Sequence, residues 1–240
     1  MKLKHRIVVL GIVASVALPV VAQDWVKRGE QGRVTMYERV EPNQVLKSYR
    51  GVIRVKAPMK AVLALVLVRE TFPQWVANVL EDSTLTEHNA DASLCYIWLK
   101  GVWPTADRDV VARVTAEQDP KSLTVAVVAQ EADPSLVPPK SGRVRMPKLY
   151  SGFSVRAIGL HETEVQLDAF ADPGGSVPSF AANMVAKDLP SVTLSNLAAL
   201  VEAPGKVDIG ALETNTFAVQ VMKRVKLPEF SASSERTKSD

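Results

Sequence analysis

The segment of residues 109–117 alternates apolar with mostly polar side chains, and this alternation constrains the fold more than any other feature of the sequence. Because successive side chains of a strand point to opposite sides of a sheet, it predicts a strand with one face on the core. The inner face carries Val110, Ala112, Val114 and Ala116. The outer face carries Asp109, Val111, Arg113, Thr115 and Glu117. Such small inner side chains leave volume beside a curved sheet, and either larger residues from the helices or a ligand must fill it.

Two further segments repeat this pattern. Residues 163–171 place Val165, Leu167, Ala169 and Ala171 inward. Residues 123–130 place Leu123, Val125, Val127 and Ala129 inward. Additional strands are predicted at residues 32–40, 45–55, 94–100 and 143–158, the last with a break near Pro147. Six or seven antiparallel strands flanked by helices give an α+β fold.

The helices are predicted from apolar runs and their boundaries. Residues 59–70 are apolar nearly all round between Pro58 and Pro73, which predicts a buried helix. Short helices are predicted at residues 25–27 and 72–79. A long C-terminal helix is predicted at residues 178–201, interrupted by Pro190, with Phe180 and Met184 on its apolar face.

The first 22 residues have the pattern of a secretion signal. Three basic residues precede an apolar run at residues 7–18, which is short for a bilayer span and ends before Pro19. We expect cleavage after Ala22 rather than an uncleaved anchor helix, and therefore a periplasmic or secreted protein. The full chain has 29 basic and 26 acidic residues, and loss of Lys2, Lys4 and Arg6 leaves the two charges balanced. This balance argues against nucleic-acid binding, which depends on neutralising phosphates.

Several motifs occur in a fixed order along the chain. Trp103-Pro104 and Arg108-Asp109 lead into the alternating strand, and Asp172-Pro173-Gly174-Gly175 follows the last strand. Trp25 and Phe72-Pro73-Gln74-Trp75 precede them, and the C-terminal helix closes the set. This order, spanning roughly residues 24–202, resembles the START (StAR-related lipid-transfer) domains of the helix-grip, or SRPBCC-type, superfamily, as a bacterial exported member.

The resemblance implies a helix-grip fold, in which a curved antiparallel sheet wraps around a long C-terminal helix and encloses an apolar cavity. It divides the chain into a signal peptide at residues 1–22, a START-like domain at residues 23–202 and a partly disordered extension at residues 203–240. The alternative for the interior is an ordinary filled core. A cavity for one lipid or other hydrophobic molecule would have ~300 to 1,000 Å³.

Candidate ligand-binding residues follow from the inner faces and from the motifs. They are Tyr96, Trp98, Trp103, Arg108, Val110, Ala112, Val114, Val165, Leu167, Ala169, Phe180 and Met184. Two interpretations of Arg108 stay open: it meets a polar lipid group at the cavity mouth, or it pairs with Asp107 or Asp109. Some START domains carry a basic residue at the position of Val114, and its absence here predicts an apolar deep cavity.

Two segments have alternative interpretations. The Pro-rich loop at residues 133–142, with exposed Leu136 and basic neighbours, is either part of the cavity entrance that touches a membrane transiently or a surface connector. The segment at residues 208–227 either packs on the domain or binds a protein partner, which is unknown.

No catalytic or metal-binding motif is recognisable in the sequence, and we assign no catalytic residue, metal or cofactor. His88 and His161 lie in polar segments without neighbouring ligands at metal spacing. The favoured hypothesis is a non-enzymatic protein that binds one lipid or other hydrophobic molecule in a cavity gated by the C-terminal helix, for lipid transport or sensing in the cell envelope. Two other hypotheses are a cyclase or hydrolase on the same fold, and an interaction module acting through residues 203–240.

Overall fold

The computed structural model describes residues 24–42, 44–88 and 92–230. Within them, one sheet of ten strands forms the body of the protein. The strands are β1 Val26–Gln31, β2 Val34–Val40, β3 Lys47–Val55, β4 Val79–His88, β5 Ala92–Leu99, β6 Asp107–Gln118, β7 Val125–Glu131, β8 Arg143–Arg145, β9 Lys148–Gly159 and β10 Glu162–Asp172. The predicted signal peptide and the end of the chain lie outside the described residues.

The sheet is antiparallel along its whole main path. Its strand order is β1-β2-β3-β10-β9-β7-β6-β5-β4, and the short β8 pairs with β6 in parallel outside this path. The predicted break near Pro147 is confirmed, because it separates β8 from β9. The α+β architecture with a large antiparallel sheet and C-terminal helices is also confirmed.

Two strands were not predicted from the sequence. Residues 26–31 form β1, paired with β2, and the predicted opening helix at residues 25–27 is wrong. Residues 79–88 form the edge strand β4, paired with β5, where the sequence indicated only the end of a helix. The segment before β4 is a 3-10 helix at Arg69–Gln74, so the helix predicted at residues 72–79 begins and ends too late.

The helices pack on one side of the sheet. Helix α1, Met59–Leu67, is buried at every position except Lys60, as its apolar composition predicts. The predicted C-terminal helix is two helices, α2 Ser179–Ala186 and α3 Leu189–Val201. Pro190 lies in the first turn of α3, where a missing backbone N–H removes no helical hydrogen bond. The interruption therefore falls at Lys187 and Asp188, before the proline.

Helix α3 approaches β3 closely at Gly51. A Cβ atom at Gly51 would lie 2.8 Å from Leu194 Cδ1 and 3.0 Å from Pro190 Cβ, so only glycine fits there without displacement. At the C-terminal end of α3, Arg33 donates two hydrogen bonds of 2.8 Å to the Glu202 carboxylate. Both contacts fix α3 against the sheet.

Two short helices follow α3 and cover α1. They are α4, Ala211–Thr214, and α5, Thr216–Met222, and their residues Leu212, Phe217 and Val221 are buried in the same core as α1. The described part of the predicted extension therefore packs on the domain. No helix in the described ranges is long and apolar enough to cross a membrane.

Replacing Phe217 by alanine tests whether α5 contributes to the core. We expect the free energy of unfolding to fall by about 3 kcal/mol or more, because a buried ring is removed. Phe180→Ala is the matched control, since Phe180 is 74% exposed and its loss should change stability by less than about 0.5 kcal/mol. Chemical denaturation measures both, and equal small effects would contradict the packing of α5.

Candidate ligand-binding site

A cavity of about 450 Å³ lies between the sheet and the helices α2 and α3. Its wall is mostly apolar and comes from β4, β5, β6, β7, β9 and β10, from the 3-10 helix, from the turn at residues 100–105 and from both helices. The volume lies within the ~300 to 1,000 Å³ of small-molecule sites. Part of the space next to the small inner side chains is therefore empty of protein atoms.

An aromatic cluster fills another part of the concave side. The rings of Phe72, Trp75 and Phe153 meet edge to face, with centroids 5.0, 5.6 and 6.5 Å apart. Trp75 is fully buried, whereas Phe72 and Phe153 also contribute to the cavity wall. The sequence left two interpretations open, a filled core and an empty cavity. The interior contains both, because side chains fill the space around Trp75 and a cavity lies beside it.

Six of the twelve candidate residues lie in the cavity wall. They are Trp103, Arg108, Val114, Leu167, Ala169 and Met184. Val110, Ala112 and Val165 are buried in the hydrophobic core and lie outside this wall. Phe180 is largely exposed on α2 and also lies outside it.

Tyr96 and Trp98 lie on the other face of β5, and their predicted orientation toward the cavity is wrong. The Tyr96 hydroxyl donates to Asp109 Oδ2 at 2.7 Å, and Trp98 Nε1 donates to Asp107 Oδ2 at 2.9 Å. The cavity instead receives Ile97 and Leu99. The sequence offers little signal here, because both faces of β5 are mostly apolar: Cys95, Ile97 and Leu99 alternate with Leu94, Tyr96 and Trp98.

The loop at residues 133–142 is held on this outer face and contributes no residue to the cavity wall. Arg145 donates to the carbonyl oxygens of Pro134 and Val137 and to the Asp109 carboxylate. Arg143 stacks on Trp98 with its guanidinium carbon 3.7 Å from the ring centroid. Burial opposes ionisation of Asp109, but hydrogen bonds from Arg145 and Tyr96 outweigh it and lower the pKa of this carboxyl.

Arg108 is buried at the cavity wall next to the turn that follows β5. Its Nε donates to the Pro173 carbonyl oxygen at 3.3 Å and its Nη1 donates to the Ala106 carbonyl oxygen. The predicted alternative, an ion pair with Asp107 or Asp109, is wrong because both carboxylates bind other groups. No carboxylate of the described chain lies within ion-pair distance of Arg108, and Nη2 has no acceptor there.

The turn at residues 100–105 forms one rim of the cavity. Gly101 N donates to Asp107 Oδ1 at 2.9 Å, and a Cβ at Gly101 would lie 2.1 Å from the Ala106 carbonyl oxygen, so the turn requires glycine. Trp103 is 89% exposed at the tip, and Met184 of α2 is also exposed. The rim therefore presents large apolar side chains to solvent.

Helix α2 covers the cavity without being buried itself. Ala181, Ala182 and Val185 line the cavity, yet no residue of α2 is fully buried. Its attachment to the sheet runs through Asn183, whose Oδ1 accepts from Lys47 N at 2.9 Å and whose Nδ2 donates to the Val45 carbonyl oxygen at 3.0 Å. The Tyr49 hydroxyl donates to the Asn183 carbonyl oxygen at 3.2 Å.

The far wall of the cavity contains a buried charge that the sequence did not indicate. Asp82 of β4 lines the cavity with its side chain 1% exposed, and its Oδ1 accepts from Arg69 Nη1 at 2.7 Å. Val114 is apolar as the sequence shows, but the prediction of an apolar deep cavity did not foresee this buried pair at β4. Burial raises the pKa of Asp82 to about 6, although Arg69 favours the ionised form. The inward residues of β4 include Asp82 and Thr84, and their polarity hides the alternation by which a strand is recognised.

Among the residues that the structure describes, no three His, Cys, Asp or Glu side chains are grouped so that they could hold a metal ion. Burial raises the pKa of the Cys95 thiol to about 12, so this cysteine stays protonated and unreactive.

A curved antiparallel sheet closed by C-terminal helices over an apolar cavity defines the helix-grip class of protein. The START domain profile matches residues 18–203, and the chain belongs to the START domain family.

Two relatives are similar to this chain in sequence over most of its length. The chain is 31% identical to an uncharacterized protein of Pseudomonas aeruginosa over 195 residues, covering 81% of this chain and 95% of that protein. It is 28% identical to the phosphatidylcholine transfer protein of Mus musculus over 172 residues, covering 69% and 78%.

Two solved structures share the fold at lower sequence identity. The STAR-related lipid transfer protein of Xanthomonas axonopodis superposes with a TM-score of 0.66 at 24% identity, covering 75% of this chain and 99% of that one. Human STARD10 gives a TM-score of 0.70 at 16% identity, covering 87% and 85%.

The Asp82 carboxyl should titrate near pH 6, whereas an ordinary aspartate titrates near 3.8. Because the folded protein then holds a proton that the unfolded chain releases, this group's stabilisation is complete below pH 3.8 and is lost as the pH rises through 6. The unfolding free energy of the wild type, relative to Asp82→Asn, should therefore fall by on the order of 3 kcal/mol between pH 4 and 7. Carboxyl ¹³C resonances measure the titration, and a midpoint below pH 4 would contradict it.

Proposed function

We propose that the protein binds one lipid or similar hydrophobic molecule in the cavity and carries it between membranes of the cell envelope. The observation that supports this most is the apolar cavity of about 450 Å³ beneath helix α2, a helix with no fully buried residue. Membership of the START domain family and the similarity to a phosphatidylcholine transfer protein point the same way. The secretion pattern of residues 1–22 supports a periplasmic or secreted location.

Shielding of apolar surface supplies the driving force for binding. Each methylene group removed from water contributes about 0.8 kcal/mol. A ten-carbon chain therefore gains about 8 kcal/mol before the costs of ordering are subtracted. An apolar wall of this kind favours acyl or polycyclic hydrocarbon over polar metabolites.

Arg108 gives the cavity a site for an anionic or carbonyl group at its mouth. Its guanidinium is buried, is held in place by two backbone carbonyl oxygens and lacks a carboxylate partner in the described chain. A phosphate or ester oxygen of a ligand would accept hydrogen bonds from the remaining N–H groups of the guanidinium. We therefore infer that Arg108 binds the polar part of the lipid.

The apolar rim is the surface that we expect to touch a membrane during exchange. Trp103, Phe180 and Met184 are exposed, and Trp103 and Met184 also line the cavity. An indole ring suits the boundary between lipid headgroups and acyl chains. This contact involves the turn at residues 100–105 and α2, instead of the loop at residues 133–142.

An enzyme of the cyclase or hydrolase type would need titratable groups that converge on one point of the cavity. The charged residues of its described wall are Asp82, Lys100 and Arg108, and the wall also contains the phenol of Tyr150, whose pKa burial raises. Asp82 is bound by Arg69 in the far wall, while Arg108 is bound at the turn, on another strand. This separation favours a carrier over a catalyst.

Blocking the cavity tests the proposal. Native mass spectrometry of the purified protein should show one bound lipid, and Ala129→Phe, which adds a ring to the cavity wall, should reduce uptake of a fluorescent acyl probe at least tenfold. Ala126→Phe is the matched control on the same strand, because Ala126 lies on the opposite face of β7 and should not affect uptake. Absence of bound lipid together with no probe uptake by the wild type would overturn the proposal.

Substitution of the exposed rim should slow transfer without weakening binding. For Phe180→Ala, which removes an exposed ring outside the cavity wall, we expect a several-fold slower transfer of a fluorescent lipid between vesicles, with an unchanged number of bound lipids per protein. Leu160→Ala serves as the control, since Leu160 is an exposed apolar residue in the β9–β10 turn at the other end of these strands. Equal transfer rates for all three proteins would exclude the rim as the membrane contact.

A further inference from the structure

The guanidinium of Arg108 is a buried cation whose protein partners are neutral. The residue is 7% exposed and belongs to the cavity wall. The carbonyl oxygens of Pro173 and Ala106 accept hydrogen bonds from Nε and Nη1, and no carboxylate of the described chain lies within ion-pair distance. A buried charge without a partner of opposite sign costs free energy, so an anionic group bound there would offset that cost.

The second terminal nitrogen of Arg108 is accessible to such a group. Nη2 has no acceptor in the described chain. Among the described residues, the fully buried side-chain atom that lacks a hydrogen-bond partner is Asp82 Oδ2, so Nη2 of Arg108 keeps some accessible surface. Because Arg108 lines the cavity, this nitrogen is the donor that a ligand oxygen would meet.

The other charges of the described wall also favour an anion over a zwitterion. They are Lys100, a second cation, and Asp82, whose carboxylate already pairs with Arg69 at 2.7 Å. A quaternary ammonium group beside Arg108 would meet like charge without a free carboxylate to balance it. A carboxylate or phosphate in the same place would meet opposite charge and unused N–H donors.

The size of the cavity limits the apolar part of the ligand. A water molecule takes up about 30 Å³ of the liquid, and a methylene group is of similar size. The cavity of about 450 Å³ therefore holds roughly fifteen such groups. One acyl chain of ordinary length fills this space, whereas a phospholipid with two such chains exceeds it.

We propose that the ligand is an anionic amphiphile with a single acyl chain, whose carboxylate or phosphate binds Arg108 and whose chain fills the cavity. A zwitterionic phospholipid with two chains meets neither condition. This inference rests on the proposed function and adds the class of ligand to it.

The charge of the ligand is tested with hexadecanoate and its methyl ester, which share one acyl chain. We expect the lipid-free full chain to bind the acid at least tenfold more tightly, as measured by displacement of a neutral fluorescent acyl probe, because a charge-assisted hydrogen bond is stronger than a neutral one. Arg108→Met should abolish the preference. Arg113→Met is the matched control, since Arg113 is an exposed arginine of the same strand, and it should keep the preference.

The number of chains is tested with monoacyl and diacyl glycerol phosphates, which share the phosphate group. The diacyl compound should displace the probe at least tenfold more weakly than the monoacyl compound. Both comparisons use the unmodified protein, so they remain decisive if Arg108→Met does not fold. Equal affinities within either pair would overturn the inference and leave the proposed function in place. Failure of the wild type to bind the probe and all four compounds would instead contradict the proposed function.

Discussion

The close approach of α3 to the sheet at Gly51 is the contact on which the rest of the interior depends. Leu194 and Pro190 pack where a side chain on β3 would otherwise stand, and the Arg33–Glu202 ion pair fixes the far end of the same helix. On the other side of Lys187 and Asp188, helix α2 covers the cavity and has no fully buried residue. One well-packed helix and one loosely covering helix together produce a core at one end and a cavity at the other.

Much of this architecture could be predicted from the sequence, because strands such as β6 and β10 alternate small apolar and polar residues in register with the sheet. The order of the motifs supplied the fold class. Edge strand β4 could not be predicted, since its inward positions include Asp82 and Thr84, which serve the buried Arg69. β1 was missed because it is short, exposed and recognisable mainly by its pairing with β2.

Part of the binding site could be predicted from the sequence, and the predictions that were wrong failed for physical reasons. Val114, Leu167 and Ala169 share the inward parity of their strands and do reach the cavity wall. Tyr96 and Trp98 were assigned to the wrong face because the alternation of β5 is apolar on both sides. The basic residues near the loop at residues 133–142 suggested a membrane contact, yet Arg143 and Arg145 bind Trp98 and Asp109. Such pairing joins distant segments, and sequence spacing does not reveal it.

Asn183 carries a consequence for the kinetics of the protein. The side-chain hydrogen bonds of α2 to the start of β3 run through this one residue, while the affinity for a hydrophobic molecule is set by the wall beneath it. In the carrier that we propose, the time for which a ligand stays bound and the equilibrium affinity therefore depend on different atoms. Substitution of the Asn183 amide would then change the rate of ligand release while leaving the ligand preference of the cavity wall unchanged.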